Sequence, residues 1–290
     1  MVQPSKFLTT RQLAGLWMVS EATIKRWADA GQLGSTRTVG GHRRFPVEEV
    51  VRFQTERSLG AGAVGASKAA AVSAEAGRLD EGELAEGFFR AVTRGHSAEA
   101  AATLLGAHLS GMPLGRLLDV ALAGSMRRVG ALWHEAELSV ADEHVATSAA
   151  AQALRTLSDS TRRAAEHGRF AVCCAAEGEM HVLAVLCAQA ILESEGWEVL
   201  NLGPHTPFFA LAELAERRRP ALVCVSSTVQ LELEHNARDF GRLREAAKGC
   251  GARVVLGGEG FKDGAVRRRF TADLHAESFE EFEEFLRRAG

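Results

Sequence analysis

The sequence predicts a multidomain protein with three folded modules: an N-terminal winged helix-turn-helix, a four-helix bundle and a C-terminal α/β Rossmann-like domain. Its 290 residues exceed the usual length of a single domain. Helical patterns fill the middle of the chain, and apolar strand-like runs alternate with helices after it. We place the three modules at 1–58, 80–167 and 168–290, with a linker over 59–79.

The composition excludes several protein classes. With 46% hydrophobic and 24% charged residues, the chain has ordinary globular values, which excludes wholesale disorder. No apolar run of membrane-spanning length is present, and the N-terminus lacks the apolar core of a signal peptide, so we expect a cytoplasmic protein. The five cysteines contain no CxxC pair, which favours buried reduced thiols over a disulfide framework or a zinc site.

Charge is distributed unevenly along the chain. Residues 1–57 carry nine lysines and arginines but five acidic residues, a net charge of +4. The remaining residues carry −7, since the whole chain has a formal charge of −3. A basic head on an acidic body predicts that only the head meets a polyanion.

The head shows the pattern of a helix-turn-helix followed by a hairpin. One short helix is predicted over 11–18 and a second over 21–31, with Ser20 as the N-cap of the second. The glycines at 40–41 indicate the turn of a hairpin, and Pro46 begins another helix.

Polar and basic side chains on these elements suit a contact with DNA. Those on the second helix would enter a major groove, and those on the hairpin would meet phosphates or a minor groove. They are Thr23, Lys25 and Arg26 on the helix and Arg37, His42, Arg43 and Arg44 on the hairpin. The segments TIKRWADAGQL and TRTVGGHRRF resemble the DNA-binding domain of MerR-type regulators, which implies double-stranded operator DNA as a partner. The alternative is a solvated basic surface on a small helical domain.

The next two segments predict a linker and a helical module. Residues 59–79 are rich in Gly, Ala and Ser and poor in large apolar side chains, as in a linker. Apolar stripes at helical spacing then predict a bundle of four main helices. These helices cover 83–95, 97–111, 113–136 and 139–168.

The last module alternates strands with helices. Alternation of this kind predicts a doubly wound parallel sheet, in which ligands bind at the carboxyl ends of the strands. The predicted strands cover 169–177, 197–203, 220–227 and 252–258, and the segment 271–276 lies between the last two predicted helices.

Three motifs follow the first, third and fourth of these strands. The first is Glu179-x-His181-x-x-Ala184, the second contains Ser226 and Ser227, and the third is a Gly-Gly pair. Together they resemble the cobalamin-binding fold, whose pattern is Asp/Glu-x-His-x-x-Gly, Ser-x-Leu and Gly-Gly, and the spacings between the motifs suit that family. The resemblance implies the cofactor-binding residues Glu179, His181, Ala184, Ser226, Ser227, Val229, Gly257 and Gly258.

The chemistry of these residue types fits the resemblance. Neutral imidazole is a good cobalt ligand, and Glu179 can fix the tautomer of His181, which the resemblance implies is the lower axial ligand. Small residues on the third and fourth strands leave a slot for the nucleotide tail of the cofactor. Two positions depart from the pattern: Ala184 replaces Gly, and Thr228 replaces Leu, although Val229 could serve in its place. The alternative is a flavodoxin-like sheet with a loop histidine.

The helical module carries a third pattern. The pairs Trp133-His134 and Glu143-His144 lie close in sequence, with nine residues between Trp133 and Glu143. This spacing resembles the bundle of CarH/LitR-type regulators, which bind adenosylcobalamin. The resemblance implies that Trp133 covers the upper ligand, that Glu143 and His144 line its pocket, and that His134 becomes a cobalt ligand after light. The alternative is core packing with surface histidines.

The three resemblances together imply a light-responsive transcriptional repressor that is not an enzyme. Adenosylcobalamin would hold a dark homo-oligomer, expected to be a tetramer, on operator DNA, and photolysis of the cobalt–carbon bond would release it. Two alternatives stay open: a light-independent sensor of a corrinoid or another tetrapyrrole, and a corrinoid carrier for methyl transfer. His205, after the second strand, could approach the corrin rim or be an ordinary loop residue.

Overall fold

The computed structural model describes most of the chain and divides it into two compact units. The described residues are 7–16, 19–38, 40–46, 49, 50, 53, 80–109, 111–161, 164 and 168–289. The first unit takes its described residues from Met1–Met112 and Val120–Ser160, and the second from Pro113–Asp119 and Thr161–Gly290. The predicted linker over 59–79 lies outside the described residues, as does much of the helix predicted after Pro46.

The head consists of short helices and a small antiparallel sheet. Its elements are β1 (Phe7–Thr9), α1 (Thr10–Leu16), α2 (Glu21–Asp29), β2 (Thr36–Arg37) and β3 (Arg43–Pro46). Ser20 caps α2 as predicted, because its side chain accepts a hydrogen bond from the Thr23 backbone N–H. The predicted hairpin is present as β2 and β3, which pair antiparallel.

β1 is an element that the sequence pattern did not predict. Its three residues are too few to show an alternating pattern, and the strand exists through its pairing with β3 in the sheet order β1-β3-β2. Leu8 lies opposite Phe45 in this register. Phe45 packs with the buried Leu13 and Ile24, so the sheet and both helices share one core.

The described residues from Glu81 to Ser158 are mainly helical, and one of the predicted helices contains a π-helical turn. The elements are α3 (Glu81–Thr93), α4 (Ser97–Leu109), α5 (Leu114–Leu117), a π-helical turn (Leu118–Ala123), α6 (Gly124–His134) and α7 (Val140–Ser158), with α5 belonging to the second unit. Residues 114–134 are helical without a break, so the helix predicted over 113–136 is present with a π-helical turn inside it, and the helix predicted over 139–168 ends at Ser158.

The helices of the first unit bury one apolar stripe each. α3 contributes Phe88, α4 contributes Leu104, and α6 contributes Val129, all fully buried. α7 contributes mainly small residues, including Ala146 and Ala150, at helical spacing. Small residues allow helix backbones to approach closely, so this helix packs through its backbone more than through large side chains.

The second unit contains the predicted parallel sheet. Its strands are β4 (Phe170–Ala175), β5 (Glu198–Asn201), β6 (Leu222–Ser226), β7 (Arg253–Gly257) and β8 (Leu274–Ala276), in the order β5-β4-β6-β7-β8. The helices are α8 (Leu183–Ser194), α9 (Phe208–Arg218), α10 (Leu233–Cys250), α11 (Gly264–Arg269) and α12 (Phe279–Ala289). All neighbouring strands are parallel, as expected for a doubly wound fold.

The N-terminal part of the helix over 114–134, at residues 114–119, makes reciprocal contacts with the start of α12. Both carboxylate oxygens of Asp119 accept hydrogen bonds from backbone N–H groups at the start of α12, each at 2.9 Å. The buried carboxylate of Glu283 accepts from the Gly115 N–H at 3.0 Å. A Cβ on Gly115 would lie 2.6 Å from the carbonyl oxygen of Phe279, so only glycine fits there. Each helix start is thus capped by a carboxylate from the other helix, a pairing that local sequence patterns do not reveal.

The composition predicts that the cysteines are buried reduced thiols, and the sequence contains no apolar run of membrane-spanning length. All five cysteines are free, and Cys173, Cys174, Cys187 and Cys224 are buried. Burial raises the pKa of the Cys173 thiol to about 12, so it stays protonated and unreactive at neutral pH. Among the described helices, none is both long and apolar enough to cross a membrane.

Candidate functional site

Small residues line one edge of the parallel sheet. The register places Ala175, Ser226, Gly257 and Ala276 next to one another at the carboxyl ends of four neighbouring strands. Loops with the predicted site residues follow three of these strands. The edge therefore combines free space with polar groups, as ligand sites of doubly wound sheets do.

The centre of this edge is a hydrogen-bonded group of Glu179, His181 and Thr228. Oε1 of Glu179 lies 2.6 Å from His181 Nδ1 and also accepts the His181 backbone N–H at 2.8 Å. Oε2 accepts the Thr228 hydroxyl and backbone N–H and the Val229 N–H. The loop after β4 and the loop after β6 therefore both contribute residues that bond this one carboxylate.

The surroundings keep Glu179 ionised and so fix the state of His181. Glu179 is 1% exposed, and its burial alone raises its pKa, but the bonds from Thr228 and His181 outweigh burial and lower the pKa to about 2. An ionised carboxylate beside Nδ1 requires the proton on that nitrogen. In the neutral ring, Nε2 then carries the lone pair.

Two glycines hold the Ser227–Val229 loop closely. Gly258 has a φ of +95°, and a Cβ there would lie 2.3 Å from the carbonyl oxygen of Ser227. A Cβ on Gly260 would lie 2.2 Å from the carbonyl oxygen of Val229. The fully buried Ser227 hydroxyl donates to that same Val229 carbonyl at 2.9 Å. The loop that carries Thr228 is thus packed directly against the backbone of Gly258 and Gly260, where a side chain would not fit.

These residues fit a cobalt corrinoid. The His181 side chain is 68% exposed, and no described residue bonds its Nε2, so this nitrogen faces solvent, and neutral imidazole is a good cobalt ligand. The buried carboxylate behind it provides the outer partner that metal-bound histidines usually have. Ala184, the second residue of α8, is half-buried, and its effect on the cofactor tail stays a prediction.

Sequence reasoning missed two parts of this arrangement. Thr228 was treated as a departure from Ser-x-Leu, but its hydroxyl is a donor to Glu179 and lies 3.2 Å from His181 Nδ1. Gly260 was not singled out, although the run Gly257-Gly258-Glu259-Gly260 after a strand carried the signal of a close backbone approach. Val229 contributes its backbone N–H to Glu179.

His205 lies next to this group in the loop after β5. Its Nδ1 accepts the Gly178 N–H at 2.9 Å, and its own N–H donates to the Glu179 carbonyl at 2.9 Å. His205 is therefore a loop residue that two hydrogen bonds connect to the turn that carries Glu179.

The predicted residues of the helical region lie at the end of α6 and in α7. Trp133 is 48% exposed, which is unusual for so large an apolar side chain, and His134 is also exposed. The Glu143 carboxylate lies 2.5 Å from His144 Nδ1 and accepts the Thr147 hydroxyl at 2.6 Å. A shallow hollow of about 310 Å³ is present here. It is lined by Gly95, His144, Val145, Ser148, Ala149 and Gln152.

The predicted DNA-binding residues have two kinds of surroundings. Lys25 and Arg26 on α2 and Arg37 and His42 on the hairpin are exposed, and Thr23 and Arg44 are half-buried. The Arg43 guanidinium, in contrast, donates to the Lys25 carbonyl at 2.8 Å and to the Asp29 carboxylate, which lowers the pKa of Asp29. Arg43 therefore ties the hairpin to α2, a role that the sequence reasoning did not predict.

Protein-family models match three parts of the chain. Residues 7–58 match a helix-turn-helix domain, and residues 84–158 and 171–286 each match a model described as a B12 binding domain. Two B12-binding domains thus follow a helix-turn-helix domain. The first is helical and the second is a parallel-sheet, Rossmann-like domain, as the fold described above shows. A comparison with curated proteins gave no match.

Solved structures with a similar fold include corrinoid proteins. The monomethylamine corrinoid protein of Methanosarcina barkeri is 18% identical, with a TM-score of 0.60, over 72% of this chain and 100% of that chain. A cobalamin-binding protein from Desulfitobacterium hafniense DCB-2 is also 18% identical, with a TM-score of 0.38, over 72% and 98%. The methanol:cobalamin methyltransferase complex MtaBC of M. barkeri gives 18%, a TM-score of 0.35, and 75% and 82%. At 18% identity, the first similarity shows the fold alone.

Proposed function

We propose that the protein is a light-responsive transcriptional repressor that binds adenosylcobalamin and operator DNA in the dark. The observation that carries the proposal is the His181–Glu179–Thr228 group, with a free imidazole Nε2, in a chain that also carries a helix-turn-helix domain. The His181–Glu179–Thr228 group would present a cobalt ligand, and the helix-turn-helix domain would bind DNA. Coupling the two needs no catalytic turnover.

The sheet unit is proposed to hold the cofactor from below. His181 would supply the nitrogen ligand to cobalt, and Glu179, 2.6 Å from Nδ1, would keep the proton of the neutral ring on that nitrogen. Ser226, Ser227, Gly257 and the neighbouring small residues leave room for the nucleotide tail. When bound, adenosylcobalamin supplies a cobalt–carbon bond that light can break.

The helical region is proposed to sense the upper ligand. Trp133 would cover it, Glu143 and His144 would line its pocket, and His134 would be available to replace it after light. The exposure of Trp133 and His134 supports this, because both side chains are available to a ligand. Glu143 is held by His144 and Thr147, so its carboxylate is already oriented.

The head is proposed to bind DNA only as part of an oligomer, which we expect to be a tetramer. Single heads of about fifty residues bind weakly, and linking several of them raises affinity through effective concentration. The cofactor can shift assembly only by its different affinity for the assembled and separated forms.

One experiment tests the proposal directly. The full chain is given adenosylcobalamin in the dark, and its absorption spectrum, mass and retention of operator-length DNA are measured before and after illumination. We expect a base-off, His-on spectrum, and a fall in both mass and DNA binding after light. A base-on spectrum would remove His181 from the proposal, and unchanged mass and binding after photolysis would support a light-independent sensor instead.

A matched pair of variants tests the head. Arg37→Ala removes an exposed cation, so we expect weaker DNA binding and a salt dependence lower by about one phosphate contact. Arg43→Ala removes the tie to α2, so we expect a less stable head. Equal effects of both on the salt dependence would contradict this division.

A corrinoid carrier for methyl transfer is the second candidate. The similarity to the monomethylamine corrinoid protein favours it, because that fold covers the helical region and the sheet unit without the head. A chain that lacks residues 1–58 separates the two functions. A carrier would keep methyl transfer from a methylated corrinoid, whereas a repressor would lose operator binding.

A further inference from the structure

We propose that His205 is a positioning residue for the turn over 177–181, from which the cobalt ligand His181 extends. The inference rests on the proposed function for His181, but the contacts that carry it belong to this chain alone. His205 is not proposed to touch the cofactor. It acts by holding the backbone that carries Glu179 and His181.

His205 forms hydrogen bonds with the backbone of Gly178 and of Glu179. Gly178 N–H donates to His205 Nδ1 and His205 N–H donates to the Glu179 carbonyl, both at 2.9 Å. The Glu179 N–H is bonded to the Ala176 carbonyl at 3.0 Å. Three hydrogen bonds therefore fix two consecutive residues, and two of them come from His205.

The pairing of β5 with β4 places His205 beside the turn that follows β4. β5 lies beside β4, and beyond the strands Thr206 continues the pairing, with its N–H donating to the Ala175 carbonyl at 2.9 Å. His205 therefore occupies a fixed place beside the turn after β4. The position of its side chain is set by the sheet and not by a mobile loop.

The residue type fits the place in two ways. His205 has a φ of +53°, in the left-handed region, where histidine, asparagine and aspartate are the side chains most often found besides glycine. Its Nδ1 accepts a hydrogen bond, so the proton of the neutral ring is on Nε2. Glycine would adopt this φ but has no side-chain acceptor for the Gly178 N–H. Asparagine would adopt this φ and offer Oδ1 as the acceptor.

The consequence concerns the affinity for cobalt. Without the acceptor, the Gly178 N–H loses its partner and the turn gains freedom. Glu179 then holds His181 less firmly, although no atom that would bind cobalt has changed. Loss of such an outer partner commonly lowers metal affinity by about tenfold or more.

The test uses the full chain with two substitutions, His205→Gly and His205→Asn, and two readouts. The first is hydrogen exchange of the 177–181 backbone in the cofactor-free protein. The second is the dissociation constant for adenosylcobalamin in the dark, read from the His-on spectrum. We expect His205→Gly to speed the exchange and to raise the dissociation constant about tenfold, and His205→Asn to restore both.

The matched control is Arg219→Gly. Arg219 also has a left-handed φ, of +48°, but it lies at the opposite end of α9, so its replacement adds a similar backbone freedom away from the turn. We expect no change in exchange at 177–181 or in the spectrum for this control.

The outcomes separate the inference from the proposed function. Unchanged exchange and affinity in His205→Gly would overturn the inference, as would a failure of His205→Asn to restore them. If the unaltered chain shows no His-on spectrum, the proposed function fails, whereas faster exchange in the cofactor-free His205→Gly protein would still show that His205 holds the turn.

Discussion

The two regions predicted to meet the cofactor differ in how far their side chains are already held. In the sheet unit, the Glu179 carboxylate is buried and bonded to His181, Thr228 and Val229. In the helical region, Trp133 and His134 are exposed. An arrangement fixed before binding costs little to bind, whereas exposed side chains are free to change partners. The difference supports a division in which the sheet unit binds the cofactor and the helical region responds to it.

The largest expected effect comes from removing the proposed cobalt ligand. His181→Ala should abolish the His-on spectrum and weaken adenosylcobalamin binding by about a hundredfold or more, since losing only an outer partner costs about 10- to 100-fold. Absorption titration in the dark measures this. His96→Ala is the control, because His96 is an exposed histidine just before α4 whose Nδ1 lies 3.3 Å from the Glu99 carboxylate, outside the sheet unit. Equal binding by both variants would show that the sheet unit does not prepare a cobalt ligand.

The next largest effect tests how tightly the Thr228 loop is packed. Gly260→Ala places a methyl group 2.2 Å from the Val229 carbonyl, so the backbone must move. We expect a loss of about 2–3 kcal/mol in the free energy of unfolding, measured by urea denaturation of the cofactor-free protein. The control Gly241→Ala, in α10 with open space around it, should be neutral or stabilising by up to about 1 kcal/mol. Similar losses in both would mean that the close packing of this loop is unimportant.

A smaller effect tests the ionised state of Glu179. Thr228→Val removes a hydroxyl donor to the buried carboxylate, which should cost about 1–2 kcal/mol at neutral pH and raise the Glu179 pKa above about 2. A carboxyl with a lowered pKa stabilises the fold above its unfolded pKa near 4.5, and this contribution is lost as pH falls toward 2.

The pH dependence distinguishes this explanation from a simple packing defect. The pH-dependent loss between about 4.5 and 2 should be smaller in Thr228→Val than in the unaltered chain. Parallel stability curves over this range, measured by denaturation at several pH values, would contradict the role of the hydroxyl. Thr228→Ser keeps the donor and is the matched control.

The smallest effect is expected in the helical region. Trp133→Ala should change the unfolding free energy of the cofactor-free protein by no more than about 0.5 kcal/mol, because the side chain is half exposed. Phe88→Ala, in the core of the same unit, should cost about 3–5 kcal/mol. Thermal denaturation of both variants measures the contrast. A large loss from Trp133→Ala would show that Trp133 is part of the core rather than a free surface for a ligand.

The sequence predicted the elements whose patterns are local and missed those that depend on distant contacts. The parallel strands are continuous apolar runs, so β4, β6 and β7 were readable. β1 was not, because three residues carry no pattern and the strand depends on pairing with β3. The bonds of Asp119 with the start of α12 were also not readable, because they join residues 160 and 161 positions apart in the chain.

The same distinction holds within the site. The motif Glu179-x-His181 could be read, because the two residues are neighbours in sequence and their chemistry is complementary. Thr228, Gly260 and His205 lie 49, 81 and 26 positions from Glu179 and reach its turn or the Thr228 loop only after the strands align. In the head, the position of Arg43 was predicted but its bond to Asp29 was not, because the hairpin must fold onto α2 first.

The sequence by itself determined the order of the modules, the strand-and-helix alternation and the residue types that suit cobalt and DNA. These properties follow from local apolar periodicity, charge and side-chain chemistry, which need no knowledge of distant neighbours. Only the tertiary structure decided which oxygen of Glu179 each partner bonds, which glycines a side chain cannot replace, and which arginine of the hairpin is engaged. These depend on distances between residues that are far apart in the chain, and only the aligned strands and packed helices set those distances.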